Sequence, residues 1–109
     1  MTFNEYQKQS KKTAQYSDFV PPFVYLTMGL AGESGETIDK IKKVVRNNNG
    51  KFTPEDLQEI KKELGDVLWY LSQLATQFDM SLEDVASTNL DKLFDRLKRN
   101  KIRSRGDNR

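Results

Sequence analysis

The chain has 109 residues, 36% of them hydrophobic and 31% charged, with a formal net charge of +2; this length suits one domain, so any enclosed site must come from a single core or from a subunit interface. It contains no cysteine and no histidine, which excludes disulfides, Ser-His and Cys-His nucleophile pairs, and zinc in its usual nitrogen and sulfur sites. Catalysis would have to come from carboxylates, Lys, Tyr, Ser/Thr or an oxygen-bound metal.

The N-terminus MTFNEYQKQSKK lacks the apolar middle of a signal peptide, and no apolar run approaches the roughly 20 residues that cross a bilayer. The expected location is the cytoplasm, with no membrane partner. Thr2 to Glu5 fits a capping box, and Phe3, Tyr6 and Ser10 continue a helical spacing to about residue 15. Pro21-Pro22 opens a second helix, in which Phe23, Leu26, Leu30, Ile38, Ile41 and Val44 or Val45 recur at three- and four-residue steps until Asn47 to Gly50 stops it. Thr53-Pro54-Glu55-Asp56 starts a third helix, with a capping hydroxyl, a proline suited to the first turn and acids at the positive end. Leu57, Ile60, Leu64, Val67, Leu71, Leu74 and Phe78 form its stripe. Ser81 and Asp84 start a fourth, carried by Leu82, Val85, Ala86, Leu90, Leu93 and Leu97. Short connections between long amphipathic helices predict antiparallel neighbours in an all-α, four-helix bundle-like domain over residues 1–99. Residues 100–109 form a tail with no apolar face. Residues 96–109 hold seven basic and one acidic residue, against 11 basic and 15 acidic before them, so an acidic body carries a basic end.

Four acids interrupt the apolar pattern. In helix two the phase set by residues 23, 26 and 30 next meets Glu33, with Glu36 one turn on; in helix three Glu63 joins the phase 57, 60, 64, 67, with Asp66 beside it. Each pair is spaced i, i+3 and shares a helix face. Glu36 lies 11 residues before Asn47 and Glu63 lies 10 after Thr53, so at about 1.5 Å per residue both stand roughly 15 Å from the turn. An antiparallel hairpin would therefore bring all four carboxylates together. Converging carboxylates must take up protons, stay wet or bind a cation. Oxygen-only donors select Mg²⁺, Mn²⁺ or Ca²⁺, and Mg²⁺, which keeps waters and shares itself with phosphates, suits an open cluster on a bundle wall.

The segments GLAGESGETIDKIKK (29–43) and KKELGDVLWYLSQLA (61–75) closely resemble the MazG-like all-α nucleoside triphosphate pyrophosphohydrolases. That family reads E-x-x-E, a spacer, then E-x-x-D; here Glu33-x-x-Glu36 and Glu63-x-x-Asp66 are separated by 26 residues. The likeness continues through SLEDVASTNLDKLFDR (81–96) and, more weakly, to the terminal GDNR. The resemblance implies Mg²⁺-dependent hydrolysis of a (d)NTP to the monophosphate and pyrophosphate, with Mn²⁺ as a substitute, in a homodimer or dimer of dimers. It also implies that Asn89 and Lys92 face the site. Asn89 independently falls in the apolar phase of helix four, where a polar side chain needs a partner.

Within that reading Glu33, Glu36, Glu63 and Asp66 are the metal ligands. Glu36 is the candidate general base, on the argument that acidic neighbours raise a glutamate's pKa. Glu63 is assigned to the catalytic pair with it. Lys40, one turn after Glu36, is a candidate phosphate contact or an ion-pair partner, and Tyr70 a candidate wall of a base or ribose pocket, with Trp69 assigned to packing. Arg103, Arg105 and Arg109 could fold over the triphosphate, since the guanidinium fork matches phosphate oxygens. The rival classes are a noncatalytic helical interaction protein with a vestigial metal site and a nucleic-acid-binding module. The second accounts for the basic tail but not for acids in the core phase.

Overall fold

A computed structural model describes residues 1–16 and 19–99. It is all-helical in these residues, with α1 (Phe3–Lys11), α2 (Pro22–Asn48), α3 (Pro54–Gln77) and α4 (Leu82–Lys98). None of these helices is long and apolar enough to cross a membrane.

Local chemistry sets the helix ends. Thr2 and Glu5 form the capping box of α1, and Thr53 with Asp56 forms that of α3, where Pro54 occupies the first turn. Ser81 caps α4 by accepting from the Asp84 amide. Each such cap stabilises its helix by about 0.5–2 kcal/mol. Helix α2 ends where Asn49 and Gly50 turn into the left-handed region, at φ 55° and 74°, a conformation open to Asn and Gly at small cost.

Helices α2 and α3 form an antiparallel hairpin that is the spine of the molecule, and α1 and α4 both pack on α3. The register is visible in facing pairs: Lys40 meets Glu59, and Gly29 meets Tyr70. A Cβ on Gly29 would overlap the Tyr70 ring, so the missing side chain is what lets that ring lie on the α2 backbone.

The contact between α1 and α3 is polar at its centre. Ser72 and Gln73 are fully buried and Ser10 nearly so. The Gln73 amide donates to Ser10 Oγ at 2.8 Å, Ser10 and Ser72 hydroxyls meet at 3.1 Å, and Gln7 bonds Thr76, the Met80 carbonyl and the Leu82 amide. These buried groups are thus paired, which avoids the desolvation cost of leaving them open.

Apolar burial is sparse. Leu26, Val44, Ala75 and Leu82 are the buried hydrophobic residues among those described, while much of the expected stripes on α2, α3 and α4 is exposed, including Ile38, Leu57, Leu64, Leu90 and Leu97. Helix α4 does not pack against α2, so one chain leaves the hairpin uncovered on a long face. The radius of gyration is 16.8 Å, against about 13 Å for a compact domain of this size.

Candidate metal centre

Glu33 and Glu36 descend from α2, and Glu63 faces them from α3. One carboxylate oxygen from each lies within 4.8 Å of the others. The hairpin register and the i, i+3 step on α2 produce this meeting. Asp66 stands outside that triad and is exposed, yet it is near enough for its charge to act on Glu33.

Glu63, which is buried, and Glu33, which is half-buried, differ sharply. Glu63 Oε1 accepts from Lys40 Nζ at 3.2 Å, while its Oε2 is buried without a hydrogen-bond partner. Glu33 Oε2 is likewise buried and unpartnered. Lys40 beside Glu63 holds that carboxyl below its usual range against the opposing effect of burial. Glu33 moves the other way: burial, the proton shared with Glu63, and the Glu36 and Asp66 charges raise it to about 7. The pair therefore favours a protonated Glu33 beside an ionised Glu63.

Lys40 is itself held. It bonds Glu59 Oε2 at 3.1 Å, and Glu59 Oε1 accepts from Lys62 at 3.1 Å. The four side chains form a relay, Lys62–Glu59–Lys40–Glu63, that fixes which oxygen of Glu63 turns inward. Sequence reading singled out Lys40 but missed Glu59, whose signal was its place one turn before Glu63.

The donor set fits a hard divalent cation. It is all oxygen, and it contains two buried oxygens lacking a partner. Ligands of one Mg²⁺ at about 2.1 Å stand no more than about 4.2 Å apart, so small rotamer shifts from the 4.8 Å grouping suffice.

The other candidates fall in three groups. Tyr70 is half-buried on α3, and burial, the neighbouring Tyr25 hydroxyl and the Glu33 and Asp66 charges raise its pKa. Trp69 contacts it edge-on at 5.0 Å and donates to Thr13 Oγ1 at 2.8 Å, which is the packing role expected of it. Asn89, expected in the apolar phase of helix four, is exposed. The reason is that α4 lies on α1 and α3 and leaves α2 alone, so nothing in the described chain covers that position. Lys92 on the same helix is half-buried. Arg103, Arg105 and Arg109 lie outside the described residues, as does the whole tail 100–109.

Comparison with known proteins gives two findings. A family model described as the MazG nucleotide pyrophosphohydrolase domain matches residues 24–100. The chain is 43% identical over 109 residues to "Gene 37 protein" of Mycobacterium phage L5, covering 95% of this chain and 96% of that protein. No solved structure matches.

Proposed function

The chain belongs to the MazG nucleotide pyrophosphohydrolase family, and from that premise we propose that it hydrolyses a (d)NTP to the (d)NMP and pyrophosphate in a Mg²⁺-dependent reaction, with Mn²⁺ able to substitute. The observation that carries this reading is the meeting of Glu33, Glu36 and Glu63 with two buried oxygens left unpartnered. Such an arrangement is costly unless a proton held between Glu33 and Glu63 or a cation completes it, and a cation is the occupant that serves all three acids.

In the reaction, water attacks the α-phosphorus, the bond from that phosphorus to the α,β-bridging oxygen breaks, and pyrophosphate leaves with the electron pair. Glu33, Glu36, Glu63 and Asp66 are the side chains that would hold the ion. When bound, Mg²⁺ supplies charge neutralisation of the triphosphate and a fixed orientation for the attacking water. Glu36 is the proposed acceptor of the water's proton; Glu33, raised to about 7 in the metal-free chain by burial and its acidic neighbours, would give up its proton when the ion binds. Lys40 orients Glu63 rather than reaching outward in this state.

A homodimer or dimer of dimers is part of the same proposal. The extended radius of gyration and the exposed stripes of α2, α3 and α4 make a second copy the natural cover. An α4 from that copy, laid on the open face of the hairpin, would bring Asn89 and Lys92 toward the acids. Arg105 and Arg109 in the tail are proposed phosphate contacts.

The test is incubation of purified protein with each (d)NTP and Mg²⁺, with products resolved by chromatography. Monophosphate and pyrophosphate in equal amounts support the reading. Orthophosphate, or no product with any nucleotide, counts against it and favours a noncatalytic helical protein.

A further inference from the structure

We infer that the N-terminal segment, residues 2–16, completes an aromatic wall beside the acids and that Tyr16 on this wall sets how tightly the nucleobase of the substrate is held. This rests on the nucleotide hydrolase reading above. It concerns residues that precede the stretch matched by the family model, which begins at residue 24.

The segment reaches the wall through two tethers that start from one place, Ser10. In the first, Gln73 Nε2 donates to Ser10 Oγ, and Gln73 Oε1 accepts from the Tyr16 hydroxyl at 3.4 Å. The Tyr16 ring then lies 6.1 Å from that of Tyr25, tilted by 47°. In the second, the Thr13 hydroxyl donates to the Ser10 carbonyl at 2.7 Å and accepts from Trp69 Nε1. Trp69 meets Tyr70 edge-on, and the Tyr70 hydroxyl stands beside that of Tyr25. The contacts close a ring in which Gln73, fully buried, is the anchor.

Position connects this wall to the acids. Tyr25 precedes Glu33 by eight residues and Tyr70 follows Asp66 by four, which is about 12 Å and 6 Å along two antiparallel helices, both away from the hairpin turn. The Glu33 and Asp66 charges reach the Tyr70 phenol, so the wall begins where the acid cluster ends. Its rings are not sealed in: Tyr25 is 37% exposed, and Tyr16, Trp69 and Tyr70 are half-buried. A substrate whose triphosphate sits at the acids carries a flat, apolar-faced base beyond it, and stacking on aromatic side chains is the interaction that such a face offers.

The experiment uses the full chain and its sole tryptophan, Trp69, as reporter. Wild type, Tyr16→Ala and Tyr16→Phe are titrated with α,β-imido analogues of dATP, dGTP, dCTP and dTTP and, as a baseless control, with tripolyphosphate, all in Mg²⁺. KM and kcat are measured with the matching dNTPs. The expected result is that nucleotide analogues change Trp69 emission and tripolyphosphate does not. Tyr16→Ala then weakens analogue binding and raises KM roughly tenfold for the preferred base, flattens discrimination between bases and leaves tripolyphosphate binding unchanged, whereas Tyr16→Phe, which keeps the ring and loses only the Gln73 tether, recovers most of the binding. The proposal is overturned if Tyr16→Ala weakens nucleotides and tripolyphosphate alike, changes neither, or lowers kcat with KM untouched. Should Tyr16→Ala fail to fold, Tyr16→Leu, which keeps apolar bulk but no aromatic face, is put through the same titration with the same criteria. Base-dependent binding without pyrophosphate release would sink the hydrolase reading and spare the wall; pyrophosphate release indifferent to Tyr16 would do the reverse.

Discussion

Lys40 and Glu63 are joined across the hairpin by a 3.2 Å ion pair that occupies one oxygen of the glutamate, while the other stays buried and unpartnered. The lysine thus plays two parts. It pins the carboxylate in the orientation that faces Glu33, and it supplies a positive charge to a site otherwise made of acids.

Lys40→Met removes that charge. A cation near a divalent ion's site repels it, and at about 5 Å even in high dielectric the effect is roughly a factor of ten in affinity. Lys40→Met should therefore bind Mn²⁺ a few-fold to tenfold more tightly than wild type, as read by calorimetry, while its metal-free form melts lower. Weaker Mn²⁺ binding would mean that holding Glu63 in place outweighs the repulsion.

Glu63→Ala and Asp66→Ala should each abolish turnover, by about 100-fold or more given that even outer-shell changes cost 10–100-fold, with helical circular dichroism largely intact. A near-wild-type rate in Asp66→Ala would confine the centre to the triad of Glu33, Glu36 and Glu63.

Glu33 gives a pH signature. Its folded-state pKa of about 7 lies above the ordinary 4.5, so the folded chain holds an extra proton between those values. Its contribution is fully present below pH 4.5 and is lost as pH rises through 7. Glu59 and Glu63 are shifted downward, so theirs is present above pH 4.5 and lost on further acidification. In chelator, the melting temperature should fall from about pH 5 to pH 8, and Mg²⁺ should remove that fall. A metal-free melting temperature that climbs over the same range would contradict the burial of Glu33.

Gly29→Ala should destabilise the protein by about 1–3 kcal/mol through overlap with Tyr70, despite the gain of about 1 kcal/mol that alanine brings to a helix interior. Gly32, Gly35 and Gly65 have open space where a Cβ would point. Their alanine variants should gain about 0.5–1 kcal/mol if a single chain is the whole fold. A loss in urea titration at any of them would locate an approach by a second copy.

Ile38→Glu and Leu64→Glu place charges on exposed apolar positions. If a second copy covers them, light scattering should show a shift to monomer; an unchanged mass would leave the open hairpin face without its proposed cover.

The sequence alone determined the four helices, their caps and the level placement of acids on α2 and α3, because these follow from 3.6-residue periodicity, capping chemistry and distance from one turn. It also sufficed to single out Lys40 and the acids as candidates. Tertiary structure decided how those groups differ. That Glu33 rises toward 7 while Glu63 is held down, that Asp66 stays outside the triad, and that Asn89 is exposed all depend on burial and cross-helix partners, which spacing within one helix does not encode. The same holds for the link from Ser10 through Gln73 and Tyr16 to Tyr25. Its members are far apart in the chain, and only the docking of α1 on α3 makes them neighbours.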